Sequence, residues 1–180
     1  MAKIGFIYST VDGHTVEICN RLIERVGEQG FETVLLALTA DSKIDLNGLD
    51  RVVLGASIRY GKHRPEVTRF INENSAWLAS TRSAFFSVNA VARKPEKKEP
   101  HTNPYVRKFL TTIQWQPAAI GIFGGRIHYA KYGFWDRTMI RFIMWMTNGP
   151  TAIDSNVDFT NWDEVDAFGK IIGDLGHRPA

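Results

Sequence analysis

A single cysteine in 180 residues leaves no partner for an internal disulfide, which suits a reducing compartment. That residue, Cys19, falls within a stretch of helical periodicity and reads as a small apolar core side chain. No apolar run reaches the roughly 20 residues needed to span a bilayer. No signal-peptide pattern precedes the first predicted strand, so the expectation is a protein of the cytoplasmic side. The five histidines are scattered without metal-ligand spacing, and no nucleophile, metal site or catalytic triad is expected. Also missing are the Gly-Lys-Ser/Thr ending of a Walker loop and the Gly-x-Gly-x-x-Gly turn of dinucleotide folds. Nucleoside-triphosphate chemistry is therefore not expected.

What is present begins at the N-terminus. Lys3-Ile4-Gly5-Phe6-Ile7-Tyr8 reads as a buried strand that runs into Ser9-Thr10-Val11-Asp12-Gly13-His14-Thr15. The following residues, Val16 to Ile23, carry apolar side chains at helical spacing. A strand, a hydroxyl-rich loop with one glycine and a helix start together form an anion site. The unpaired N–H groups of the first helical turn face the loop, and the helix dipole favours negative charge there. Ser9, Thr10 and Thr15 add hydroxyl donors, Gly13 permits close backbone approach, and phosphate is the natural guest. The alternative is that Thr10 or Asp12 simply caps the helix, because capping prefers the same residue types.

Further along, the pattern predicts strands at 31–37, 51–57, 83–89 and 118–124, and helices at 14–29, 65–79, 103–114 and 161–175. Gly30 is a plausible stop for the first helix. Thr160/Asn161 with Asp163/Glu164 form a capping pattern for the last. Val52-Val53-Leu54-Gly55-Ala56 and Ala84-Phe85-Phe86-Ser87-Val88 are continuous apolar runs, as in strands covered on both faces. The alternation of strands and helices predicts an α/β fold with a parallel sheet. Composition, 44% hydrophobic and 23% charged, suits one domain spanning 1–180 with a sizeable core.

Ligands of open parallel sheets sit at the carboxyl ends of the strands. Three segments occupy such ends: Ser9–Thr15; Ser57-Ile58-Arg59-Tyr60-Gly61; and Asn89-Ala90-Val91-Ala92-Arg93-Lys94-Pro95. The first suits phosphate, the second offers an aromatic ring and a flexible glycine, and the third offers backbone polar groups and positive charge. Together they describe a site for a phosphorylated planar cofactor. The net charge of +3 is concentrated in two groups: Arg93, Lys94, Lys97 and Lys98, followed by Arg107 and Lys108, and then Arg126, Lys131, Arg137 and Arg141. Such clusters serve nucleic acid, anionic lipid or carboxylate ligands, or are simply solvated.

The segment Phe134 to Met146 is unusual. On a helical wheel Arg137, Thr138 and Arg141 form a narrow polar stripe, and most of the remaining surface is apolar, which inverts the proportions of an ordinary surface helix. It is too short to span a membrane but suited to lie in the interface, with Trp135 and Trp145 at the boundary. Packing into the protein or into an oligomer interface is the alternative.

At its three loops the chain resembles the flavodoxin-like fold, an open five-stranded parallel sheet with helices on both faces. Thr10, Gly13 and Thr15 match the phosphate loop Thr-x-Thr-Gly-x-Thr, with Asp12 in place of the middle threonine. Over essentially its whole length the chain is similar to the bacterial flavodoxin-like, quinone-dependent protoporphyrinogen IX dehydrogenases, a family that also shows Asp12. The similarity is carried by Gly55-Ala56-Ser57-Ile58-Arg59-Tyr60-Gly61, by Ser87-Val88-Asn89-x-Val91-Ala92-Arg93-Lys94-Pro95-Glu96-Lys97, by an insertion at about 126–150 and by Thr160-x-Trp162. The resemblance implies FMN as cofactor, bound by Ser9, Thr10, Asp12, Gly13, His14, Thr15, Ser57, Ile58, Arg59, Tyr60, Gly61, Ser87, Val88, Asn89, Ala90 and Val91. Asp12 is expected to turn its carboxylate away from the phosphate, Tyr60 to stack on the flavin, and His14 to be a solvent-exposed loop residue. The third loop lacks the aromatic that covers the other flavin face in electron carriers, which leaves that face open.

The implied reaction, a step of haem biosynthesis, is oxidation of protoporphyrinogen IX to protoporphyrin IX, with electrons passed through FMN to menaquinone or ubiquinone. The residues implied for the substrate propionates are Arg93, Lys94 and Lys97. Those implied for membrane or quinone contact are Trp135, Phe142 and Trp145. An anionic membrane, at its cytoplasmic face, is an expected peripheral partner and a second copy of the chain a further one; nucleic acid is not. A non-catalytic electron carrier and an NAD(P)H:quinone reductase are the alternatives.

Overall fold

A computed structural model describes residues 1–128, 133–146, 148–152 and 156–175. Five strands, β1 (Lys3–Ser9), β2 (Glu32–Ala37), β3 (Arg51–Arg59), β5 (Ser83–Asn89) and β6 (Ala119–Gly124), form a parallel sheet in the order β2-β1-β3-β5-β6. Its core lies on both faces, as the continuous apolar runs require, and the period of two divides each run between them. Phe6 and Phe86 point to one side, with Ile18, Leu22 and Val26 of α1 (His14–Gly27) and Phe168 and Ile172 of α6 (Trp162–Asp174). Ile7, Leu54 and Phe85 point to the other, with Val67 and Ile71 of α2 (Pro65–Glu73) and Phe109 of α4 (Pro104–Leu110). Each such fully buried side chain contributes about 1.5–3 kcal/mol of transfer free energy. Cys19 is fully buried in the first cluster.

The boundaries differ from the sequence pattern where side chains compete with the helix. The helix expected over 65–79 breaks at Asn74, whose Nδ2 donates to the Phe70 carbonyl, and resumes as α3 (Ser75–Ser80). The end of α1 falls at Gly27, and Gly30 closes the following turn at φ +86°. Asn161 caps α6 as the pattern predicts, accepting from the Asp163 and Glu164 amides. The other end of α6 is held by Arg51, whose Nη1 donates to the Ile172 and Gly173 carbonyls at 3.0 Å each and so meets the negative end of the helix.

Two small features are absent from the sequence reading. After β3, Tyr60 (φ 50°) and Gly61 (φ 75°) reverse the chain so that β4 (Lys62–His63) pairs antiparallel with Ile58 and Arg59. After β6, β7 (Arg126–His128) pairs antiparallel with β8 (Asn156–Asp158). This pairing frames an excursion that carries α5 (Phe134–Met146); the sequence reading ended the insertion near 150. Residues 129–132 and 147 of the expected insertion, Lys131 among them, lie outside the described residues.

The short β4 strand places His63 against Phe109 and Phe85, with ring centroids 4.4 and 5.5 Å away, and its Nε2 lies 3.0 Å from Ser87 Oγ. Burial among these rings pushes the imidazole pKa down to about 3. The folded chain therefore refuses a proton that the unfolded chain accepts near the ordinary value of 6.5. The stability this neutral ring permits is complete above the unfolded pKa and is lost as pH falls towards the folded one. The urea midpoint is expected to fall progressively from pH 6.5 to pH 4, and His63→Gln to make that fall shallower than in wild type.

Candidate functional site

The end of β1 and the start of α1 build one wall of the site. Gly13 stands at the helix N-cap at φ 86°, with no side-chain cap. Neither alternative cap forms: Thr10 Oγ1 instead accepts from the Gly13 amide at 3.0 Å and folds the loop on itself. The first-turn N–H groups are left facing the cleft. Thr15 Oγ1, and Ser57 Oγ at the end of β3, are buried and have no hydrogen-bond partner among the described residues. Buried hydroxyls without partners are costly unless a ligand satisfies them. Two of them, lining one cleft beside an open helix N-terminus, fit a phosphate. The Asp12 carboxylate lies 3.9 Å from Arg59 Nη1, a guanidinium it shares with Asp136.

Two residues of this loop differ from expectation. Ser9 is buried and lies outside the cleft lining, with its hydroxyl donating to Glu66 Oε1 at 3.2 Å. His14 is buried rather than an exposed loop residue, because the first residue of α1 folds its ring against Trp162. Its Nε2 sits 2.6 Å from Thr160 Oγ1, and Thr160 in turn donates to the Gly124 carbonyl. The hydrogen of the contact is thus carried by Nε2. Burial holds the His14 pKa below its ordinary value, against the opposing pull of Asp158 3.5 Å away.

The second wall is Ser57, Ile58, Arg59, Tyr60 and Gly61, with Tyr60 55% exposed at the lip. Val88, Asn89, Ala90 and Val91 form the third. Asn89 Oδ1 accepts from the Ala92 amide and from Asn103 Nδ2, which fixes the short 3₁₀ turn Ala90–Arg93. Ser87 supports this loop from within: it is fully buried, accepts from Asn89 Nδ2, and does not line the cleft.

Of the basic residues expected to meet substrate, Arg93 lines the cleft and Lys94 and Lys97 do not. Pro95 starts a second 3₁₀ turn that leads the chain away, and Asn103 Nδ2 holds the Lys97 carbonyl at 2.9 Å. Trp135, Phe142 and Trp145 are also outside the lining, at 81%, 57% and 70% exposure on the outer side of α5. The inner side of that helix turns Ile140, Ile143 and Met144 into the cleft, where they meet Ile127 of β7. Asp136 of α5 forms an ion pair with Arg59.

The sequence reading missed this fourth wall, along with Val11, Tyr105, Gly125 and Arg126. For Gly125 and Arg126 the signal existed, since they follow the carboxyl end of the fifth predicted strand. Tyr105 brings an aromatic ring to the cleft from α4, where no local pattern announces it. Among the described residues, no helix is long and apolar enough to cross a membrane.

A flavodoxin-domain family model matches residues 6–154. The chain is 39% identical over 177 residues to the protoporphyrinogen IX dehydrogenase [quinone] of Escherichia coli K12, covering 98% of each chain. It is 37% identical over 172 residues to the protein of that name from Leishmania major, covering 93% of this chain and 73% of the relative. A flavodoxin from the domain Archaea superposes with a TM-score of 0.53 over 97% of this chain and 99% of its own, at 14% identity, a likeness of fold alone. Parallel sheet, phosphate loop and inserted helix thus come together in one lineage: the chain belongs to the flavodoxin-domain family and, within it, to the quinone-dependent protoporphyrinogen IX dehydrogenases.

Proposed function

We propose that this chain is an FMN-dependent oxidoreductase that converts protoporphyrinogen IX to protoporphyrin IX and delivers the electrons to a quinone. One observation carries the reading beyond family membership. The inserted helix α5 turns Ile140, Ile143 and Met144 into the same cleft that the phosphate and ring loops line. A carrier that only exchanges electrons at a protein surface has no use for an apolar wall there, whereas a tetrapyrrole and a quinone both need one.

The first-turn amides of α1, with Thr10, Thr15 and Ser57, would hold the FMN phosphate, and Ser57 to Gly61 and Val88 to Val91 would border its ring. When bound, FMN supplies the two-electron acceptor chemistry. The chain's own residues orient and enclose. Asn89 fixes the backbone of the third loop, Tyr60 and Tyr105 offer aromatic faces, and Arg59 ties the ring loop to α5. The finer assignments rest on chemistry. Arg93 is the basic residue of the 93–97 stretch on the cleft, and it suits a substrate propionate by charge-assisted hydrogen bonding. Phe134, Trp135, Phe142, Trp145 and Met146 form an exposed apolar surface, which suits peripheral contact with the cytoplasmic face of an anionic membrane, where both porphyrinogen and quinone reside.

Three outcomes are expected. Anaerobically prepared protoporphyrinogen IX should yield porphyrin fluorescence only when enzyme, FMN and a menaquinone analogue are all present; flavin-loaded protein that yields none would leave the chain a carrier. Arg93→Ala should raise KM for the porphyrinogen about tenfold, or about 1.4 kcal/mol, and change kcat little; an unchanged KM would remove Arg93 from substrate recognition. Phe142→Asp with Trp145→Asp should abolish co-sedimentation with anionic vesicles and leave FMN binding intact, and co-sedimentation equal to wild type would refute the membrane contact.

A further inference from the structure

Beneath the phosphate loop lies an ion pair, buried at its carboxylate and part-exposed at its guanidinium, that the cleft does not use. Glu66, in the first turn of α2, is 5% exposed. One of its oxygens, Oε1, lies 2.8 Å from Arg64 Nε and accepts from Ser9 Oγ at 3.2 Å. The same guanidinium donates from Nη1 to the Thr10 carbonyl at 3.0 Å. Both residues that open the phosphate loop are therefore gripped by side chains at the entrance to α2, and neither Arg64 nor Glu66 lines the cofactor cleft. The contacts are continuous with the loop's own fold, since Thr10 Oγ1 accepts from Gly13, the N-cap of α1.

The charges make this more than a strut. A buried carboxylate below a loop that receives a phosphate dianion repels it, and the repulsion is strong where water is excluded. A backbone carbonyl turned into the loop would repel it too. The Arg64 guanidinium answers both, as counter-ion to Glu66 and as donor that holds the Thr10 carbonyl outward. We infer that Arg64 is a positioning residue for the phosphate loop, giving this chain its preference for a phosphorylated flavin over the same flavin without phosphate. The inference rests on the FMN reading above. It differs from a role in folding alone, because a merely structural contact would affect the two flavins equally.

The test uses apoprotein titrated with FMN and with riboflavin, followed by quenching of flavin fluorescence, with urea unfolding of each apoprotein as a control on folding. Arg64→Gln should weaken FMN at least about tenfold and riboflavin less than twofold. Arg64→Lys, which keeps the charge, should recover most of the loss. Arg64→Gln combined with Glu66→Gln should also recover FMN binding, because no uncompensated anion then remains under the loop. Equal losses for both flavins, no loss for FMN, or a double variant no tighter than Arg64→Gln would each overturn the inference. If Arg64→Gln fails to refold, Glu66→Gln decides: with the guanidinium kept and the anion removed, FMN should bind more tightly and riboflavin within about twofold of wild type, and no change for FMN or an equal change for both flavins would overturn the inference. A wild-type chain that binds neither flavin would overturn the FMN reading and this inference with it; a wild type that binds FMN beside an unaffected Arg64→Gln would overturn this inference alone.

Discussion

All five strands of the main sheet run the same way, and a parallel sheet brings every strand's carboxyl end to one edge. Backbone groups at that edge leave the ladder at the same height, and the helices that follow begin there with unpaired N–H groups. The phosphate loop after β1, the ring loop after β3, the 3₁₀ turn after β5 and Gly125 after β6 meet in a single cleft for this reason. The site needs no dedicated scaffold. It is the common terminus of the strands, and the chemistry follows from what the loops present there: two buried hydroxyls without partners, the first-turn amides of α1, and a guanidinium oriented by carboxylates.

Much of this was legible because it is local. Strand β5 coincides with the strand expected at 83–89, because the apolar run Ala84–Val88, covered on both faces, has no polar alternation to blur it. Asn161 announces its cap because its side chain serves amides two and three residues away. What was not legible depends on which local bond or turn wins, or on residues distant in the chain. Asn74 looks like any polar residue in a helix until its amide takes the Phe70 carbonyl. His14 appears exposed because its burial is supplied by Trp162 and Thr160, nearly 150 positions later. Lys94 and Lys97 share a charge run with Arg93, yet the turn at Pro95 separates them from the cleft.

Electrostatics in this molecule works by pairing rather than by accumulation. The charge excess of +3 is small, and two of the cleft's arginines are engaged with carboxylates: Arg59 with Asp12 and Asp136, and Arg126 with Glu17 and Asp158. Exposed pairs of this kind add little stability. Their effect is to fix the directions of charged groups around the cleft. Asp12, a carboxylate on the cleft, belongs to the same pattern, with Arg59 Nη1 3.9 Å away.

The β7–β8 pairing has a consequence for how such a protein can change over time. Because the two ends of the excursion are stitched side by side at Ile127 and Val157, what lies between them touches the rest of the fold mainly through the inner side of α5, by Ile140, Ile143 and Met144 at the cleft and the Asp136 pair with Arg59. The packing around Met144 is a small cluster with Ile127, Ile140, Ala90 and Phe159, separate from the two large cores. A chain built in this way can lengthen, shorten or regrease its excursion at the cost of a loop-closure term that grows only logarithmically. The outer surface that Trp135, Phe142 and Trp145 offer to the surroundings can thus drift while the inner face of α5 stays fitted to the cleft.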